Sequence, residues 1–93
     1  MKRVALPKWE VYIIKTESGK LYTGITNNLE RRFKEHATKQ KGARFFYFSS
    51  PEKVVFRKTF PNRSEASKEE SAIKKMSRSK KLVLIGSINK KKD

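Results

Sequence analysis

The chain has 93 residues, no cysteine and a formal net charge of +15, from 24 lysines and arginines against 9 acidic residues. This length predicts one domain over residues 1–93, with a core at about 9–85 and a basic tail at 86–93, because two cores would each bury too little apolar surface. The absence of cysteine excludes a disulfide scaffold and a thiolate nucleophile or zinc site, and we expect a cytoplasmic protein. No segment has the ~20 apolar residues that span a bilayer, so no membrane partner is expected.

The charge balance favours a polyanionic partner. Nucleic acid is the leading candidate, because clustered lysine and arginine neutralise phosphates. The alternative is a solvated cationic surface without a dedicated ligand. Self-repulsion at this charge density destabilises the compact state, which makes that alternative costly.

Two runs rich in aromatic and β-branched residues, 9–16 and 20–26, predict a β-hairpin. A three-residue loop over 17–19, with Gly19 in the left-handed conformation, would join them. A loop of two or four residues would change the register by one step and exchange the faces of one strand. The loop length therefore decides which side chains lie together.

With the three-residue loop, Tyr12 faces Gly24, Ile14 faces Tyr22, and both tyrosines share one face of the sheet. Gly24 opposite Tyr12 would leave open space above the strand, which would suit the close approach of a phosphate. The alternative for Gly24 is a bulge or a simple weakening of the strand.

A first helix is predicted from Leu29 onward. Asn27 or Asn28 can cap its N-terminus, since an asparagine side chain accepts from the first free N–H groups. Leu29, Phe33 and Ala37 recur every four residues and predict the buried stripe.

Arg32 and His36 form a second row along the edge of that stripe, so they can address one site together. The helix is expected to end within 39–42. A basic, aromatic stretch follows at 44–48, where each aromatic side chain either belongs to the core or stacks on an unpaired base.

A third strand is predicted at 53–59 from its alternating pattern. The alternation is expected to place one group of side chains on one face of the strand, and Val55 and Arg57 on the other face. That group consists of Val54, Phe56 and Lys58.

Two further helices are predicted after this strand. Asn62 or Ser64 can cap the first, which is expected to run through about Ser77. A short last helix is predicted at 80–85.

Glu70 lies in the row of core positions formed by Ala66, Ile73 and Met76. Because a buried unpaired charge is costly, Glu70 should be matched by a metal ion or a basic side chain. The alternative is an ordinary i,i+4 ion pair with Lys74, which would require no catalysis.

These residues, in this order, resemble the GIY-YIG nuclease superfamily, in particular its small stand-alone YhbQ-like or UPF0213 type. Tyr12 stands for the tyrosine of the first motif, and Tyr22-Thr23-Gly24 stands for the second motif. Residues 28–32 are similar to the first-helix signature, and residues 63–78 to the segment with the metal-binding glutamate. The first motif reads Glu10-Val11-Tyr12 where the family has Gly-Ile-Tyr.

The resemblance implies an α+β fold of order β-β-α-β-α-α, a three-stranded antiparallel sheet flanked by helices. It also implies a site with five catalytic residues and two structural ones. The catalytic residues are Tyr12, Tyr22, Arg32, His36 and Glu70, and the structural ones are Gly24 and Asn28.

Glu70 would hold one Mg²⁺ or Mn²⁺ ion, which prefers hard oxygen donors. Arg32 would stabilise negative charge on the phosphoryl group. Either Tyr12 or Tyr22 would align or deprotonate the attacking water. His36 would transfer a proton or hold a tyrosine or a phosphate.

The function that follows is metal-dependent hydrolysis of DNA phosphodiester bonds, structure-selective or weakly sequence-specific, in repair or recombination. The alternative is a non-catalytic module that binds DNA or RNA. We expect a monomer that binds DNA rather than RNA, with a protein partner supplying specificity. The predicted phosphate contacts are Lys34, Lys39, Lys41, Arg44, Arg63, Arg78, Lys80 and Lys81.

Overall fold

The computed structural model describes residues 8–38 and 49–90, with the backbone alone for 87–90. These residues form one antiparallel three-stranded sheet of order β2-β1-β3 and three helices, which confirms the α+β prediction. In chain order the elements are β1 (Trp9–Thr16), β2 (Leu21–Thr26), α1 (Leu29–Thr38), β3 (Pro51–Phe60), α2 (Arg63–Lys74) and α3 (Arg78–Lys90). The predicted aromatic stretch at 44–48 lies outside the described residues.

The hairpin between β1 and β2 has the predicted three-residue loop. Gly19 has a φ of +89°, the left-handed conformation that glycine adopts without a steric cost. Its N–H donates to the Thr16 carbonyl oxygen over 2.9 Å, and the Thr16 N–H donates to that of Lys20 over 2.9 Å. Tyr12 therefore pairs with Gly24, as predicted.

A β-bulge in β3 overturns the predicted alternation of that strand. Phe56 pairs with Ile13 whereas Val54 pairs with Ile14, so Val55 is the extra residue. An extra residue inverts the alternation on one side of the bulge. The prediction that Val54 shares a face with Phe56 and Lys58 is wrong: Val54 packs on the α1 side and Phe56 on the opposite side.

Helices cover both faces of the sheet. On one face, Tyr12 and Ile14 are buried with Leu29 of α1. On the other face, Ala66 and Ile73 of α2 are buried against the sheet, as predicted. The central strand thus contributes side chains to both apolar clusters.

The buried face of α1 differs from the predicted stripe in one position. Leu29 is buried and Phe33 is half-buried, but Ala37 is exposed and His36 is fully buried instead. His36 lies seven residues after Leu29, close to two full helical turns, and so returns to the same face.

The boundary between α2 and α3 lies earlier than predicted. Asn62 caps α2, because its Oδ1 accepts from the Glu65 N–H over 2.9 Å. The helix ends at Lys74, not Ser77. Ser77 precedes α3, where its hydroxyl accepts from the Lys80 N–H over 3.2 Å. None of the helices within residues 8–38 and 49–90 combines the length and apolar character that a membrane crossing requires.

Candidate active site

Three aromatic side chains meet where β1, β2 and α1 come together. The ring centroids of Tyr12 and Tyr22 lie 6.3 Å apart, which confirms that the two tyrosines share a face. The His36 ring lies 6.3 Å from Tyr12 and 5.4 Å from Tyr22, with its plane nearly perpendicular to the latter. Residues separated by 24 positions in the chain are thus brought into one cluster.

Tyr12 and His36 form a buried hydrogen bond. The Tyr12 hydroxyl and His36 Nε2 are 3.1 Å apart, and the two residues are 1% and 0% exposed. Burial, and next the negative charge that Tyr22 would carry, raise the pKa of Tyr12 to about 12. Burial and the positive charge of Arg32 lower the pKa of His36 to about 4. Both groups are therefore neutral at pH 7.

Tyr12 fills the space above Gly24 that the sequence led us to expect to be open. A Cβ atom at Gly24 would lie 2.6 Å from the Tyr12 hydroxyl oxygen and 2.8 Å from the ring carbon that bears it. The expectation that a phosphate could approach the strand there is wrong. Glycine is required because the phenol ring lies across the strand at this point.

Arg32 lies between Glu35 and Tyr12. Its Nη1 donates to Glu35 Oε1 over 2.9 Å, and the Arg32 side chain also hydrogen-bonds to the Tyr12 hydroxyl. Both the arginine and the glutamate side chains are partly shielded, at 29% and 24% exposure. The bond to Arg32 opposes the rise in the pKa of Tyr12 without reversing it.

Sequence reasoning did not identify Glu35. The available signal was its spacing of three residues after Arg32, which places the two side chains on one helix surface. That spacing is common in exposed helices and does not by itself indicate a site.

Asn28 positions the start of the helix that carries Arg32 and His36. Its Oδ1 accepts from the Arg31 N–H over 3.0 Å, so Asn28 and not Asn27 is the N-cap. The backbone N–H of Asn28 donates to the Thr26 hydroxyl over 3.1 Å, which ties the cap to the end of β2.

Glu70 is half-buried on α2 and makes the ion pair that was the alternative to a metal role. Its Oε2 lies 3.2 Å from Lys74 Nζ, and its side chain is 20% exposed. The negative charge of Glu70 also makes a small contribution to the raised pKa of Tyr12, after burial and Tyr22.

The described side chains could bind a Mg²⁺ or Mn²⁺ ion only if a substrate phosphate supplied further oxygen ligands. Within the described parts of the chain, no group of three or more histidine, cysteine, aspartate or glutamate side chains is arranged to hold a metal. Mg²⁺ characteristically keeps several waters and binds through one or two carboxylates plus phosphate oxygens. Among the described residues, the Glu70 carboxylate could serve as one such ligand, with waters and substrate oxygens as the others.

The predicted phosphate contacts have varied surroundings. Lys34 is exposed and borders a cleft of about 400 Å³ between α1 and β3. Arg63 lies 5.4 Å from the centre of the Trp9 ring, and Arg78 donates to the Gly19 carbonyl oxygen over 2.9 Å. Lys80 is exposed and Lys81 half-buried, whereas Lys39, Lys41 and Arg44 lie outside the described residues.

The model of the GIY-YIG catalytic domain matches residues 8–82, which include all five predicted catalytic positions. The chain belongs to the GIY-YIG family. Membership of this nuclease family implies endonuclease activity in general terms.

Relatives of this GIY-YIG domain carry the name UPF0213, as the sequence indicated. A UPF0213 protein from Desulfotalea psychrophila is 48% identical over 79 residues, covering 85% of this chain and 72% of the relative. One from Clostridium perfringens is 46% identical over 77 residues, covering 83% and 82%. The solution NMR structure of a UPF0213 protein from Bacillus halodurans is 37% identical, with a TM-score of 0.55 and coverage of 85% and 83%.

Proposed function

We propose that the chain is a metal-dependent endonuclease that hydrolyses DNA phosphodiester bonds, with structure selectivity or weak sequence specificity, in repair or recombination. The observation that carries the proposal is the convergence of Tyr12, Tyr22, Arg32 and His36 at one point beneath α1. Two tyrosines on adjacent strands are common in cores, but a guanidinium hydrogen-bonded to one of them is suited to a phosphate.

The two tyrosines have different tasks in this proposal. Tyr22 is half-buried and can meet an attacking water, which its hydroxyl would orient by a hydrogen bond. Tyr12 is almost fully buried and has a pKa of about 12, so it is a poor proton acceptor at neutral pH. It instead holds Arg32.

Arg32 would bind the phosphoryl group and stabilise the negative charge that develops on it. His36 is fully buried and neutral, so its task is to hold the Tyr12 hydroxyl rather than to exchange protons with substrate. Of the alternatives that the sequence left open for His36, the geometry favours this one.

Glu70 would hold a Mg²⁺ or Mn²⁺ ion, with waters and substrate phosphate oxygens as the other ligands. When bound, such an ion polarises the phosphate and eases departure of the leaving oxygen. Lys74 must then give up its contact with Glu70 or share it.

The test is cleavage of labelled duplex, flap, branched and single-stranded DNA with Mg²⁺, with Mn²⁺ and with EDTA. Glu70→Gln should reduce cleavage by about 100-fold or more while leaving the fold intact. Glu65→Gln is the matched control, because it removes one charge from the same helix at an exposed pair with Lys68. Equal loss in both variants, or cleavage that persists in EDTA, would exclude the proposed role of Glu70.

A second candidate function is a non-catalytic module that binds nucleic acid. The net charge of +15 favours it, as does the ion pair that already matches Glu70. This candidate predicts no cleavage of any substrate and binding that weakens steeply as salt is raised. Competition between DNA and RNA of one sequence would then identify the preferred partner.

A further inference from the structure

We propose that Glu35 is a positioning residue for Arg32: it holds the guanidinium against the Tyr12 hydroxyl, so that Arg32 presents to a substrate phosphate in one orientation. The inference rests on the proposed function and deepens it. The sequence offered only the spacing of Glu35 from Arg32, and the task of Glu35 follows from contacts in the folded chain.

The contacts form a continuous chain of hydrogen bonds. Glu35 Oε1 accepts from Arg32 Nη1 over 2.9 Å, Arg32 bonds to the Tyr12 hydroxyl, and that hydroxyl bonds to His36 Nε2 over 3.1 Å. The chain begins at a partly shielded carboxylate and ends at a fully buried imidazole. Arg32 is thus fixed at two separate points.

Two fixed points matter because arginine is a long side chain with many rotamers. A guanidinium that is held in place before substrate arrives loses less conformational freedom when it binds a phosphate. A donor displaced by about 1 Å from its productive position loses much of its effect on a transition state. Glu35 therefore acts on the rate of the chemical step and has little direct contact with DNA.

Glu35 also contacts Arg31, but that contact is peripheral. Arg31 Nε lies 3.8 Å from Glu35 Oε2, and its side chain is 62% exposed. Pairs of this kind contribute little in water. Arg31→Ala is therefore a suitable control, since it removes a second arginine that Glu35 contacts.

The opposing explanation is that Glu35 merely lowers the positive charge near the site. Two conservative variants separate position from charge. Glu35→Gln keeps an oxygen acceptor at the same reach and removes the charge, whereas Glu35→Asp keeps the charge and shortens the reach by one methylene.

In steady-state cleavage of the best DNA substrate, kcat should depend on how far the side chain at position 35 extends towards Arg32. We expect Glu35→Asp to lower kcat about tenfold or more with KM within about threefold, and Glu35→Gln to stay within about threefold of the wild type. Arg31→Ala should keep the wild-type kcat. The reverse ranking, equal loss in both Glu35 variants, or no loss in either overturns the inference.

A second readout requires no cleavage. NMR of isotopically labelled protein without DNA can measure how fast the Arg32 guanidinium group rotates. We expect slow rotation in the wild type and Glu35→Gln, and faster rotation in Glu35→Asp, with the amide spectrum showing that each variant is folded. Equal rotation rates in the wild type and Glu35→Asp would refute the positioning role even in an active nuclease. If the wild type cleaves nothing, the proposed function fails, and the rotation rates alone still decide whether Glu35 holds Arg32.

Discussion

The Tyr12 hydroxyl and His36 Nε2 lie 3.1 Å apart, in a hydrogen bond that joins the central strand to α1 inside the protein. This bond accounts for two features that otherwise appear unrelated. Histidine replaces an apolar residue in the buried face of α1, and glycine is required where the phenol ring lies across β2. Because both side chains are almost fully buried, neither group is placed for direct proton exchange with solvent.

Stability should fall as the pH is lowered from 6.5 towards 4 because His36 is held neutral. Its pKa is about 4 in the folded protein against an ordinary 6.5, so in this window the unfolded chain binds a proton that the folded chain does not. The contribution of neutral His36 to the free energy of unfolding is fully present above pH 6.5 and is on the order of 3 kcal/mol. Urea unfolding of the wild type and His36→Gln at several pH values measures it. Parallel pH profiles for the two proteins between pH 6.5 and 4 would contradict this explanation.

Replacing each tyrosine with phenylalanine should separate structure from chemistry. Tyr12→Phe leaves the partners of the buried hydroxyl unsatisfied, so it should lower the free energy of unfolding by about 1–2 kcal/mol. Tyr22→Phe removes a hydroxyl from a half-buried ring and should cost less than about 1 kcal/mol, yet reduce kcat by about 100-fold. Denaturant titrations measure the change in the free energy of unfolding, and single-turnover cleavage measures the change in the rate of DNA cutting. A Tyr22→Phe protein that cuts DNA at the wild-type rate would remove Tyr22 from the mechanism.

Gly24→Ala should disturb the site through Tyr12. The added methyl group would lie 2.6 Å from the hydroxyl oxygen of a ring that is only 1% exposed, so the ring must move and its bond to His36 must lengthen or break. We expect a loss of about 1–3 kcal/mol in stability and a marked loss of cleavage. Gly86→Ala is the matched control: it has no neighbour within 4 Å of the added atom and lies in α3, where alanine should be neutral or stabilising. Similar effects of both changes would show that the close contact with Tyr12 is unimportant.

Asn28→Ala should weaken the start of α1. The Asn28 side chain accepts from the Arg31 N–H, and loss of such a cap costs about 1 kcal/mol. Asn27→Ala provides the comparison at an exposed neighbouring position and should change stability by less than about 0.5 kcal/mol. Thermal unfolding of both variants checks the difference. Equal melting temperatures of the Asn28→Ala and Asn27→Ala proteins would mean that the cap contributes nothing to the stability of the helix that carries Arg32.

Local chemistry in the sequence was sufficient to predict the hairpin and to narrow each helix cap to two residues. Gly19 in a three-residue loop sets the register that pairs Tyr12 with Gly24, and a strand period of two then places both tyrosines on one face. Asn62 likewise caps α2 through a short-range bond to the Glu65 N–H. Each of these outcomes depends on residues close together in the chain.

The features that sequence reasoning missed depend on contacts between distant elements. Val54 lies on the face opposite to Phe56 because β3 pairs with the central strand β1 through a bulge between them. The alternation within β3 does not indicate where such a bulge occurs. His36 displaces Ala37 from the buried face because a tyrosine from another element supplies a hydrogen-bond partner for its ring. The tertiary structure also places Arg32 between Glu35 and Tyr12. An arginine side chain has many accessible rotamers. Packing against the sheet selects among these rotamers, and the sequence alone does not indicate which one is adopted.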